Sequence, residues 1–252
     1  MSVFEKVLKS VYAITPEGGK HLWREAKYHV FSRTSSARYW NFAASTCATS
    51  AVLTGVMDEE EFWKLVPEAQ LMSDLGLMSP EACVVNIGCG IGRIENAICT
   101  RVRSIVGLDV SEKMVQRARE RVQAPNVEFK VVDGRSLSGI ESAAFDLCIS
   151  FLVFQHMPRE FVNSYFRDVA RVLKPGGKFF FQIPISSERR SPEPPRNHPF
   201  ALRWYSVDAV RKMLAESGLT VCDFIDLAES LAKDKTTYEV ADRQYFVAVN
   251  GA

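Results

Sequence analysis

The chain has 252 residues, enough for one large α/β domain or one domain with a decoration. Its apolar fraction of 47% can fill a sizeable core, and a net charge of +1 with well-mixed acids and bases excludes a strong pull toward nucleic acid or an anionic membrane. The cysteines at 47, 83, 89, 99, 148 and 222 include no C-x-x-C pair, which excludes a zinc or disulfide framework and predicts small buried thiols in a reducing compartment.

Residues 1–14 mix Glu5, Lys6 and Lys9 among apolar residues, unlike a signal peptide, and no apolar run is long enough to span a bilayer. The expectation is a soluble cytoplasmic protein, without nucleic-acid or membrane partners, as a monomer or homodimer. Residues 1–75 carry helical patterns but no strand alternation, which predicts an N-terminal helical cap. One helix there starts at Asp58, with Glu61 as its capping-box partner. Tyr39 and Trp40 are aromatics beside polar groups; they suit a ligand pocket and equally suit anchoring of the cap onto the core.

Strand and helix signals alternate over 76–183. A strand at 82–87 runs into Gly88-x-Gly90-x-Gly92, and a helix follows over 93–100. A second strand at 104–108 ends at Asp109, and Ser111 caps the next helix, whose Met114, Val115, Ala118 and Val122 share one face. Pro125-Asn126 breaks it. A third strand, 127–132, ends at Asp133-Gly134, and a fourth occupies 145–151. Val162, Tyr165, Phe166, Val169 and Leu173 line one side of a helix that stops before Pro175-Gly176-Gly177, and a fifth strand follows at 178–183. This order predicts a parallel sheet covered on both faces.

Residues 186–199 are dense in proline and charge and can be neither helix nor central strand, so 184–205 reads as a lid-like loop. Arg203-Trp204-Tyr205 closes that loop. Ser206 then caps a helix that ends at Gly218, and strands follow at 220–225 and 243–250.

In an open parallel sheet, ligands bind outside the carboxyl ends of the strands near the reversal of strand order. The glycine loop, Asp109 and Asp133-Gly134 close three successive strands and so converge on one crevice. An acid after the second strand can accept from ribose hydroxyls, and one after the third from an adenine amino group. A dinucleotide fingerprint would need a glycine at position 93, which is arginine.

On these residues the chain resembles the class I S-adenosylmethionine-dependent methyltransferases of small-molecule type. VVNIGCGIGR is similar to the family's first motif, VGLDVSEKM to its second, VEFKVVDG to its third and FDLCISFLVFQH to its fourth, while LKPGGKFFF resembles the lead into the fifth strand. The resemblance implies a Rossmann-like α/β fold: a seven-stranded, mostly parallel sheet with its last strand antiparallel, helices on both faces, and the helical cap. It implies domains at 1–75 and 76–252, the second binding S-adenosyl-L-methionine.

The resemblance also implies roles. Gly88, Cys89 and Gly90 would pass along the methionine portion, Asp109 would hold the ribose, Val110 and Met114 would pack on adenine, and Asp133 with Gly134 would meet the adenine amine. Main chain near Ser150 and Phe151 would touch the ammonium. The family usually has an acid where this chain has Asn86, which keeps an acceptor oxygen and loses the charge; altered cofactor anchoring is the expectation. Arg93 would pair with the cofactor carboxylate or be a solvated helix residue.

His156 is the candidate general base, with a structural histidine as the alternative; His21, His29 and His198 are unranked. Tyr39, Trp40, Arg203 and Trp204 are the candidate substrate contacts. The leading reading is methyl transfer to an O or N atom of a small molecule. Methylation of protein or RNA, a cofactor-binding protein without catalysis, and a nicotinamide dehydrogenase stay open behind it; Arg93 disfavours the last.

Overall fold

The computed structural model describes residues 35–52, 59–64, 66–186, 202–227 and 244–251. The elements in chain order are α1 (Ser36–Val52), α2 (Glu59–Lys64), α3 (Pro67–Asp74), β1 (Cys83–Ile87), α4 (Arg93–Ile98), β2 (Ser104–Asp109), α5 (Glu112–Arg121), β3 (Val127–Val131), β4 (Phe145–Ser150), α6 (Arg159–Val172), β5 (Leu173–Gln182), α7 (Val207–Ala215), β6 (Leu219–Asp226) and β7 (Gln244–Asn250). They form one seven-stranded sheet of order β3-β2-β1-β4-β5-β7-β6. The first five strands pair in parallel, and β7 runs antiparallel to both β5 and β6. The order reverses between β1 and β4, which locates the crevice beside the carboxyl ends of those two strands.

Period-two alternation divides the core. Phe179 and Phe181 of β5 pack with Phe154, Val162, Tyr165, Phe166 and Val169 on one face, whereas Phe180 joins Ala69, Met72, Val84, Ile94 and Ile98 on the other. Helix α3 therefore packs on the sheet through Ala69 and Met72. Ser111 and Ser206 cap α5 and α7 as their positions predict, their hydroxyls accepting from the N–H groups of Met114 and Ala209.

Two expectations are corrected. Pro175-Gly176-Gly177 was expected to precede the fifth strand, and instead lies inside β5. Leu173 already pairs with Phe145, and the register then jumps to Leu147 opposite Lys178, so the three residues form an irregularity in a longer strand. The thiols are also not uniformly buried: Cys89 and Cys148 are, Cys83 and Cys99 are partly so, and Cys222 on β6 is exposed. Its neighbours on an outer strand leave one face open to water. Asp58, His21, His29, His198 and most of 186–199 lie outside the described residues. No helix among the described residues is long and apolar enough to cross a membrane.

Candidate active site

The glycine loop is held by the second strand. The N–H groups of Gly88 and Cys89 both donate to Leu108 O, at 2.7 and 2.9 Å, and Gly90 N–H donates to Asp109 Oδ2 at 3.0 Å. Gly88 has φ +78°, and a Cβ there would meet Val153 Cγ2 at 2.1 Å, so both conformation and close approach require glycine. Asp109 Oδ1 accepts from Ser111 N–H at 2.8 Å. Burial lifts the Asp109 carboxyl to about 6, against the pull of the N–H groups of Ser111, Gly90 and Val110.

Other cofactor candidates close β4 and follow β3. Ser150 is buried at the end of β4, where its hydroxyl donates to Ile87 O at 3.0 Å and ties the two central strands together. Phe151 turns its ring into the core against Phe180 and Tyr245, so only its main chain is left for the crevice. Gly134 lies against Val110, whose Cγ2 would come within 3.0 Å of a Cβ at that glycine. Asp133 is exposed, and its Oδ1 closes a turn by accepting from Arg135 and Ser136 N–H groups.

Met114 is buried with Ile91 beneath Ala44 and Ala48 of α1, with Trp40 and Leu152 at the margin. The same helix caps α5 from outside: Asn41 Oδ1 accepts from the Ser111 hydroxyl at 2.7 Å and from Lys113 N–H at 3.1 Å. Helix α1 thus lies over the ends of the first two strands.

Arg93 is neither solvated nor open to an added carboxylate. Its fork is bidentate to Glu68 of α3, at 2.9 and 2.8 Å, and the side chains are only 3% and 8% exposed. The pair fastens the helix after the glycine loop to α3. Sequence reasoning missed Glu68 because no local signal links residues on separate elements. It also missed Glu95, fully buried on α4, whose Oε1 accepts from Asn86 Nδ2 at 2.7 Å. An acid on the inward side of a short apolar turn was the signal available.

The second cluster lies beyond β4 and β5. Trp40 reaches His156, with ring centroids 5.4 Å apart, and Tyr39 packs edge-on to Trp40 at 5.0 Å. Burial pushes the Tyr39 hydroxyl up to about 12, so it stays protonated at neutral pH. Arg203 is buried; its Nη1 donates to His156 O at 3.2 Å and its N–H to Gln155 O at 2.9 Å. Trp204 is half-buried, and its carbonyl accepts from Arg159 Nη2 at 2.7 Å.

A polar chain assigns the histidine tautomer. Leu152, held at φ +61°, donates its N–H to Gln182 Oε1 at 3.0 Å. That contact turns Gln182 Nε2 to Gln155 Oε1 at 3.4 Å, and hence Gln155 Nε2 to His156 Nε2 at 3.3 Å. Nε2 is therefore an acceptor and Nδ1 carries the proton of the neutral ring. Neither glutamine was a sequence candidate.

Residues 84–177 match the family described as a methyltransferase domain. Residues 84–177 thus form a methyltransferase domain. It is 34% identical to a trans-aconitate 2-methyltransferase of Methylobacterium nodulans over 59% of this chain and 57% of that one. It is 26% identical to a ubiquinone biosynthesis O-methyltransferase of Xanthomonas oryzae over 60% of this chain and 59% of that one. The matched stretch thus spans less than three fifths of each relative. In fold the chain is similar to an S-adenosylmethionine-dependent methyltransferase from Mesorhizobium loti, with TM-score 0.58 and 20% identity over 74% of this chain and 99% of that one.

The family's cofactor is S-adenosylmethionine, and the residues of the methyltransferase domain fit it. The loop can take backbone close to a ligand, and Asn86 Oδ1 is a buried acceptor without a hydrogen-bond partner among the described residues. Asp109 can still accept from hydroxyls, because each carboxylate oxygen has a second lone pair.

Proposed function

We propose that the protein transfers a methyl group to an oxygen atom of a small molecule. The observation that carries this reading is the contact between Trp40 and His156, which brings helix α1 across the carboxyl end of β4 beside the glycine loop. A site roofed by a helix suits a small acceptor better than a polymer, and a net charge of +1 offers no phosphate track. The two curated relatives are named for acting on trans-aconitate and in ubiquinone biosynthesis, which supports a small oxygen acceptor.

In this reading Asn86, Gly88, Cys89, Gly90 and the main chain at Ser150 and Phe151 hold the methionine portion of the cofactor. Asp109 takes the ribose, while Val110, Met114, Asp133 and Gly134 enclose the adenine. The sulfonium of S-adenosylmethionine supplies an already activated methyl group for in-line displacement. The chain then has to align the acceptor and exclude water, which can contribute about 7–11 kcal/mol where alignment is good. Helix α1, docked through Asn41, acts as a cap over the crevice, and the described ends of the 184–205 segment are joined by Tyr205 N–H donating to Pro184 O at 3.0 Å. Tyr39, Trp40, Arg203 and Trp204 border the acceptor. His156 takes the acceptor's proton only by giving up its contact with Gln155. Cytoplasmic placement belongs to the same reading; the buried free thiols of Cys89 and Cys148 suit a reducing compartment.

The test is incubation of the purified protein with methyl-labelled S-adenosylmethionine and a fractionated cell extract. Label in small molecules, stable to amine-directed chemistry, is the expected result. Label in RNA or protein, or binding of S-adenosylhomocysteine with no transfer to any fraction, overturns it.

A further inference from the structure

None of the roles above uses Glu95. It is fully buried, and its Oε1 accepts from Asn86 Nδ2 at 2.7 Å. An ionised carboxylate only accepts, so this contact decides which end of the Asn86 amide faces α4. The nitrogen points to Glu95 and the oxygen points away. Asn86 Oδ1 and Glu95 Oε2 are both buried without a hydrogen-bond partner among the described residues. A buried acceptor left unmatched in this way signals a missing donor.

The neighbours of Glu95 are few. Asn86 faces it from β1, and Gly107 of β2 leaves room for it: a Cβ there would meet Oε1 at 2.9 Å. Phe129 of β3 packs on the same glycine with an apolar ring. The charged and titratable groups that act on it are Arg93 of its own helix, Asp109 at the end of β2 and the Cys89 thiol of the loop. The Arg93 fork is already filled by Glu68 of α3.

We propose that Glu95 is a positioning residue for the α-ammonium of the cofactor: it supplies from α4 the negative charge missing at Asn86 and locks the Asn86 amide with its oxygen toward that ammonium. The inference rests on the cofactor reading above and assigns its polar anchor to a pair of residues in place of one acid.

Burial lifts the Glu95 carboxyl to about 7, while its own helix N–H, the Asn86 amide and Arg93 pull it down and Asp109 raises it. Ionised Glu95 attracts a cation and protonated Glu95 does not. Affinity for an amino-bearing ligand therefore rises as pH passes upward through that value. Asp109 titrates nearby, so the control is 5′-methylthioadenosine, which keeps the adenosyl group and lacks the amino group.

The experiment is calorimetric titration of S-adenosylhomocysteine and 5′-methylthioadenosine at pH 6 and pH 8 into the full chain, Glu95→Gln and the double variant Asn86→Asp/Glu95→Gln, with thermal unfolding to verify folding. For Glu95→Gln at pH 8 we expect about tenfold weaker S-adenosylhomocysteine binding, unchanged 5′-methylthioadenosine binding, and loss of the extra pH dependence of the first ligand. The double variant, which returns the acid to β1, should recover most of the affinity. Equal binding of S-adenosylhomocysteine by Glu95→Gln and the unaltered protein, or equal losses for both ligands, overturns the inference. Failure of the unaltered protein to bind either ligand overturns the cofactor reading itself.

Discussion

Asp109 holds Gly90 through one carboxylate oxygen and Ser111 through the other, at 3.0 and 2.8 Å. One side chain at the end of β2 thus fixes both the glycine loop and the start of α5. Asp109→Asn replaces one of those acceptors by a donor and sets it against an N–H. Near pH 4, below the value of about 6 to which burial lifts this carboxyl and so without a buried charge to relieve, we expect a loss of about 1–3 kcal/mol in urea denaturation, and at pH 8 weaker S-adenosylhomocysteine binding in calorimetry. An unfolding midpoint equal to that of the unaltered protein would refute the bridging role.

Gly88 carries two separable constraints, its positive φ and the approach of Val153. Gly88→Ala should cost about 1–3 kcal/mol from the backbone alone, plus the clash. Adding Val153→Ala should recover only the clash. Full recovery in the double variant would mean that the backbone conformation costs nothing there.

The Glu68–Arg93 pair is buried, so its two ends are not independent. Removing one partner, as in Glu68→Gln or Arg93→Met, should cost about 3–5 kcal/mol by chemical denaturation, because a charge is left uncompensated. Replacing both residues by Met should be much milder than either single change. Additive losses would argue against a coupled pair.

Glu95 makes stability depend on pH. Its carboxyl sits at about 7 in the folded chain against 4.5 for the ordinary side chain. Between those values the native state keeps a proton that the unfolded chain has lost, so stability is greatest below the lower value and falls as pH rises through the window. Glu95→Gln removes that loss. It should unfold at a higher temperature than the unaltered protein at pH 8, by at most about 3 kcal/mol in free energy, and the difference should vanish near pH 4.5. A gain of equal size at both pH values would show that the effect is packing and not charge.

Much of the fold was legible because its signals are local. Ser111 and Ser206 announce helix starts through bonds three residues away. The positions of the glycine loop and Asp109 follow from strands that end where apolar runs stop. Pro175-Gly176-Gly177 was misread because a turn-forming tripeptide inside a strand shows as a bulge only when Phe145 and Leu147 of the neighbouring strand take up pairing on either side of it. Arg93 was misread for a related reason: a charged residue at a helix start is ordinarily solvated, and its burial depends on Glu68, 25 positions away.

By itself the order of residues determined the alternating strands and helices, the bend at Gly88 and the acids at 109 and 133, since each shows as a local run of residue types: an apolar strand that stops at glycine or at an acid. Only the folded chain decided that Asn41 of α1 closes on Ser111, that Asn86 turns its amide nitrogen to Glu95, and that Gln182 and Gln155 set the His156 tautomer. These are directional bonds between elements whose spacing is set by packing, and a linear pattern carries no record of which donors burial leaves facing which acceptors.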